Sequence, residues 1–96
     1  MKDLNAARRV AEAYIVNMAG RIGVDLVLLE ESTRECQGGW VFFYDSRQYV
    51  ETGSISHALA GNAPIIVSKR TGEVSVTGTA RPVEDYIREF ERAEVT

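Results

Sequence analysis

Five consecutive bulky residues, Trp40-Val41-Phe42-Phe43-Tyr44, constrain the fold of this 96-residue chain more than any other segment. Aromatic and β-branched residues favour the pleated surface of a strand. Because side chains alternate between the two faces of a strand, Trp40 and Phe42 would lie on one face and Val41 and Phe43 on the other. Both faces are apolar, so we predict a strand that is covered on both sides and central in its sheet.

Three more strands are predicted around this one. Residues 24–31 are rich in valine and leucine and too short for another helix between their flanking glycines. Residues 63–67 and 73–77 follow later in the chain, joined by a hairpin whose Gly72 suits a positive φ. The polar segment 34–39 ends in two glycines and is predicted as a turn. Together these segments predict a four-stranded antiparallel meander.

Helical spacing of apolar residues marks both ends of the chain. Residues 4–19 carry one apolar stripe, with Asp3 as the N-cap and Gly20 where the helix would stop. A second stripe follows Pro82, a residue preorganised for a first helical turn. The predicted fold class is α+β: an N-terminal helix, the antiparallel meander and a C-terminal helix, with both helices packed on one face of the sheet.

The segment between the second and third predicted strands has no clear period. Tyr49 and Val50 are predicted as a short extension of the sheet, residues 51–54 as a turn and residues 55–60 as a brief helical turn. The sequence leaves open what covers the second face of the Trp40 strand. Either residues 47–62 fold over it, or the face is kept for a partner, which includes a second copy in a homodimer.

Composition excludes several classes of function. Eleven basic and fourteen acidic residues give a net charge of −3, whereas phosphate binding needs a concentrated positive field, so nucleic acid is not an expected partner. The sequence has no apolar run near the ~20 residues of a bilayer span and no apolar segment behind its first lysine. Neither a membrane nor a signal peptide is therefore expected. A single cysteine excludes an internal disulfide and favours a cytoplasmic location.

Catalytic and metal chemistry find little support in the sequence. Cys36 and His57 are the only obvious nucleophile and base, and Asp45 could orient the histidine in principle. These residues stand in no local motif typical of a cysteine enzyme. One histidine, one cysteine and scattered acids also lack the spacing of a zinc site. We therefore expect no enzyme activity, no catalytic residue, no metal and no cofactor.

A series of short motifs gives this sequence a likeness to a known family. The series includes residues 39–44, Leu59-Ala60-Gly61-Asn62-Ala63-Pro64-Ile65-Ile66-Val67, Thr71-Gly72-Glu73-Val74 and Gly78-Thr79-Ala80. In these motifs the chain resembles the YrhB-like family, also called the immunity protein 35 domain, which would make residues 1–96 one such domain. The resemblance implies a small cytosolic bacterial protein of a polymorphic toxin system, often encoded beside a toxin. One branch of the family is described as a small chaperone.

The resemblance leads to a non-enzymatic immunity protein that binds a cognate toxin domain and occludes its active site. The alternative is a chaperone-like protein that binds unfolded or aggregation-prone clients. Because loops on a rigid sheet commonly carry recognition, we predict the contact region at residues 45–62 and 30–37. Within it, Tyr49 is predicted as the anchor, and the charged and polar contacts are Glu30, Glu31, Asp45, Glu51 and His57. A mildly acidic surface would steer the protein onto a basic toxin.

Overall fold

The computed structural model describes residues 3–54, 56 and 63–94. Within these residues, six short strands lie between a long helix near each end, and a short helix stands between the fourth and fifth strands. The helices are α1 (Leu4–Ile22), α2 (Arg47–Thr52) and α3 (Val83–Glu94). The strands are β1 (Leu26–Leu28), β2 (Arg34–Cys36), β3 (Gly39–Phe42), β4 (Tyr44–Ser46), β5 (Ile65–Ser68) and β6 (Val74–Val76), and Glu30–Ser32 forms a 3₁₀ turn. The predicted α+β class, with a helix near each end and antiparallel strands between, is confirmed.

Helix α1 begins as predicted but ends later. The Asp3 side chain accepts a hydrogen bond from the backbone N–H of Ala6 at 2.8 Å, which is the geometry of an N-cap. The helix continues through Gly20 and ends at Gly23, whose φ of 75° is left-handed. The predicted stop at Gly20 is wrong because only Gly23 takes the backbone conformation that favours glycine at a helix end.

The main sheet has four antiparallel strands in the order β2-β3-β5-β6. Strand β3 is central, as predicted for the Trp40 segment, and its register on β5 pairs Trp40 with Val67 and Val41 with Ile66. The first strand of this sheet is β2, which comes from the segment predicted as a turn. That prediction is corrected. A strand is recognised in a sequence by alternating apolar residues, and this polar edge strand of three residues has no such alternation.

Strands β1 and β4 form a separate antiparallel pair beside the main sheet. Leu28 of β1 pairs with Tyr44 of β4, and the next pair between these two segments of the chain is Arg34 of β2 with Val41 of β3. Residues 29–33 therefore lie opposite only Phe42 and Phe43, and the surplus forms the 3₁₀ turn Glu30–Ser32. Such an insertion bends a strand and ends its pairing. The single strand predicted over residues 24–31 is thus limited to Leu26–Leu28.

The two long helices cover opposite faces of the main sheet. Helix α1 packs with Trp40, Phe42 and Val67 in one apolar cluster. On a strand the neighbouring side chains point the other way, and a Cβ built on Gly39 would stand 2.9 Å from the Phe90 ring of α3. Val41 on that second face is fully buried. Helix α3 therefore covers the face whose partner the sequence left open, and the predicted packing of both helices on one face is corrected.

Helix α2 replaces the sheet extension predicted at Tyr49 and Val50. The Ser46 hydroxyl accepts the backbone N–H of Tyr49 at 3.1 Å, and Gly53 ends the helix with a φ of 71°. Both caps stabilise a helix of only six residues. The helical turn predicted at 55–60 lies mostly outside the described residues. Among the helices that the structure describes, none combines the length and the apolar character needed to cross a membrane.

Candidate functional site

A cleft of about 460 Å³ lies between the 3₁₀ turn and α2. It joins two segments that the sequence placed in the contact region, the strand end near residue 30 and the stretch after residue 45. We call it the bulge cleft, and it is lined by Leu28, Leu29, Glu30, Glu31, Ser32 and Val50.

The backbone fixes the shape of the turn on one side of the bulge cleft. The N–H of Leu29 donates to the carbonyl of Phe43 at 2.8 Å, where pairing with the β4 side ends. The N–H of Ser32 then donates to the carbonyl of Leu29 at 2.9 Å, and that of Thr33 to the carbonyl of Glu30 at 3.2 Å. These bonds satisfy the backbone of the turn while leaving its acidic side chains exposed.

Negative charge on the rim of the bulge cleft is only partly compensated. Glu30 forms an ion pair of 2.7 Å with Arg8 of α1, and Arg47 of α2 is already paired with Asp25 at 2.7 Å. Exposed pairs of this kind contribute little to stability. Glu31 makes no ion pair with another described residue. The cleft thus combines apolar lining residues with a carboxylate that no other residue in the described part of the chain compensates.

A second cleft of about 410 Å³ lies on the other side of the turn, and Glu31 and Ser32 line both. Its remaining lining includes Arg34 and Phe43. The Arg34 guanidinium lies 5.5 Å from the centroid of the Phe43 ring and donates to Glu84 of α3 at 3.1 Å. Arg34 is therefore held in place by two contacts, whereas Glu31 projects between the two clefts.

The structure brings some of the predicted contact residues together. Glu30 and Glu31 line the bulge cleft with Val50 of α2. Tyr49 is half-buried and Glu51 exposed on that same helix, next to Val50 in the chain, although neither lines the cleft. Asp45 pairs with Val27 in the small sheet, and its carboxylate accepts the N–H of Ser46 at 2.7 Å. His57 lies outside the described residues.

The apolar residues that line the bulge cleft are not among the predicted contact residues. Leu28 and Leu29 belong to the predicted strand 24–31, and Val50 belongs to the predicted extension of the sheet. One signal could have found α2: Ser46 lies three residues before Tyr49, and Gly53 follows at the distance of a short helix, as N- and C-caps do. The sequence has no comparable signal for the end of β1 at Leu28, because the apolar residues continue to Leu29.

Cys36 is poorly suited to act as a nucleophile. Burial raises the pKa of its thiol, and the nearby Glu91 carboxylate raises it further. The thiolate is the reactive form of cysteine, so the protonated thiol dominates at neutral pH. Within residues 3–54, 56 and 63–94, no cluster of three or more histidine, cysteine or acidic residues is placed to hold a metal ion.

Comparison with known proteins yields one family and one relative. The family model of immunity protein 35 matches residues 5–89. A protein of Escherichia coli (strain K12), named Uncharacterized protein YrhB, is 43% identical over 58 residues, which are 60% of this chain and 62% of that protein. The chain therefore spans about three fifths of the length of this relative. No solved structure matches the chain.

Proposed function

The chain belongs to the immunity protein 35 family, as its motif series predicted, and from this premise we propose that it is a non-enzymatic immunity protein. In this proposal it binds a cognate toxin domain in the cytoplasm of the producing cell and occludes the toxin's active site. The observation that carries the proposal is the bulge cleft, which combines apolar lining residues with the Glu31 carboxylate, a group that has no ion-pair partner among the described residues.

Local hydrogen bonds that order this surface support a role in binding. The 3₁₀ turn is closed by its own backbone hydrogen bonds, and α2 is capped at both ends by Ser46 and Gly53. A surface that is already ordered loses less conformational entropy when a partner docks. The proposed site therefore includes Glu30 and Glu31 from the turn and Tyr49 and Glu51 from α2, with Asp45 and His57 as further proposed contacts.

Charge supports the proposal in a second way. The chain carries a net charge of −3, and Arg8, Arg34 and Arg47 are each paired with an acid of the same chain. An acidic surface attracts a basic partner over several ångströms and raises the association rate. A toxin that binds a negatively charged substrate would offer such a basic surface around its active site.

A general chaperone is the weaker candidate. Binding of unfolded clients calls for a contiguous exposed apolar patch. The large apolar residues that the described part of the chain exposes are spread over three elements, namely α1, α2 and β6. They are Leu4, Val16, Ile22, Val50 and Val76. This dispersal favours one specific docking surface over a broad client-binding face.

Calorimetric titration of the toxin domain encoded beside the gene tests this function. We expect a complex in the nanomolar range, about that of natural complexes with interfaces of standard size. Tyr49→Ala and Glu51→Lys should each weaken it by about tenfold or more, because an anchor is removed or a charge reversed. Glu73→Lys, on an exposed residue between the last hairpin and β6, is the matched control and should leave the affinity unchanged.

Two outcomes would count against the proposal at different levels. If the wild-type chain binds the toxin and both variants bind it with the same affinity, Tyr49 and Glu51 do not belong to the site, but the immunity function stands. A wild-type chain that forms no complex, and that does not protect cells expressing the toxin, would contradict the immunity function itself.

A further inference from the structure

The walls of the bulge cleft present apolar surface inside a concavity. Leu28 and Leu29 are half-buried, and Val50, which lines the cleft from α2, is 48% exposed. Apolar surface exposed to water at a concave site gains free energy when an apolar group displaces that water. The shape and chemistry of the cleft therefore suit a bulky aliphatic or aromatic side chain.

The rim sets a second condition on whatever enters. Glu31 has no ion-pair partner within the described residues, and the Glu30 side chain is 64% exposed although it pairs with Arg8. A basic group next to the inserted side chain would compensate the Glu31 charge, whereas an acidic group there would be repelled. The occupant must therefore combine an apolar side chain with a neighbouring lysine or arginine.

Charge also decides against a second copy of this chain as the occupant. A two-fold interface presents the same patch on both subunits. Two bulge clefts docked on one another would place the acidic turns of both copies at one interface, where like charges raise the energy of association. A heterologous partner with a basic surface avoids this repulsion.

We propose that the bulge cleft receives one large apolar side chain of the toxin, and that this side chain is flanked by lysine or arginine. The inference rests on the proposed immunity function and deepens it, because it names the chemistry that the site recognises in its partner. Glu31 then forms a salt bridge across the interface, and Val50 packs against the inserted side chain.

Aspartate substitutions at two exposed valines, one in the cleft and one outside it, test whether the cleft binds the toxin. Val50→Asp places a charge beside its apolar walls and should weaken binding of the adjacent-gene toxin domain by about thirtyfold or more. Val16→Asp is the matched control, since Val16 is 67% exposed on α1 and should leave the affinity unchanged. Glu31→Gln should weaken binding by about fivefold and reduce its salt dependence.

A photo-cross-linking residue at position 50 identifies the occupant directly and does not depend on the stability of the aspartate variant. The peptide of the toxin that is captured should contain an aliphatic or aromatic residue next to lysine or arginine. The same probe at position 16 should capture no toxin peptide.

The outcomes separate the inference from the function on which it rests. Wild-type binding together with unchanged affinity of Val50→Asp, or capture of an acidic peptide at position 50, overturns the inference and leaves the immunity function standing. Failure of the wild-type chain to bind the toxin overturns both.

Discussion

At the scale of single residues, Gly39 has no room for a side chain. A Cβ there would stand 2.8 Å from the carbonyl oxygen of Val67 and 2.9 Å from the ring of Phe90. The carbonyl belongs to the neighbouring strand β5 and moves only with it. Gly39 is therefore a packing requirement at the contact between the main sheet and α3.

Substitution of Gly39 by alanine should destabilise the protein by about 2 kcal/mol, since overpacking forces backbone or ring to shift. Denaturant unfolding measures the change. Gly20→Ala is the control, because nothing lies within 4 Å of the position that a Cβ would take on Gly20. That exchange, inside helix α1, should stabilise the protein by about 0.5–1 kcal/mol. Equal effects of the two substitutions would contradict the packing described for Gly39.

At the scale of elements, α2 holds the helical side of the proposed toxin site. Its N-terminus depends on the Ser46 hydroxyl, which accepts the backbone N–H of Tyr49, and Val50 follows in the same turn. Because an isolated helix of six residues is not stable in water, the cap and the contact with β4 determine whether α2 persists.

Ser46→Ala should cost about 1 kcal/mol of stability, because the backbone N–H of Tyr49 loses its acceptor. It should also weaken toxin binding, since α2 presents Val50 and Glu51. Unfolding curves and titration calorimetry measure the two effects. Ser75→Ala, on an exposed serine of β6, should change stability by less than about 0.5 kcal/mol and leave binding intact. A Ser46→Ala protein with wild-type stability and affinity would refute the role of the cap.

How far the sequence predicts these elements depends on what specifies each one. Helix α1 and strand β3 were predictable because the period of their apolar residues is local information. The bulge at residues 29–33 was not, since it exists only through the register of β1 and β2 against their partners. The side of the sheet on which α3 packs was also not predictable. An amphipathic stripe shows that one side of a helix is buried, but it does not show which face of the sheet buries it.

The candidate site divides along the same line. The predicted charged rim comprises Glu30, Glu31, Asp45 and Glu51. The structure exposes the three glutamates, whereas Asp45 is half-buried in β4. Val50 joined the site only once α2 brought it to the bulge cleft. Exposure of a charged residue can thus be predicted from the sequence, whereas the place of an apolar residue beside a cleft depends on the fold.

At the scale of the whole molecule, net charge should control how fast the toxin is captured. The chain has a net charge of −3, and exposed charges are screened over a distance of ~10 Å at 0.1 M salt. The association rate with a basic toxin should therefore fall about tenfold between low and high salt, while the dissociation rate changes little. Stopped-flow fluorescence measures both rates. An association rate independent of salt would contradict electrostatic steering.

Inhibition of the toxin by the purified chain is a direct test of the proposed immunity function. The toxin domain encoded beside the gene is assayed for its own activity while the chain is added in increasing amounts. We expect a linear loss of activity that reaches zero at one equivalent of the chain, because each bound molecule would occlude one active site. Full toxin activity in the presence of a saturating excess of the chain would contradict this function.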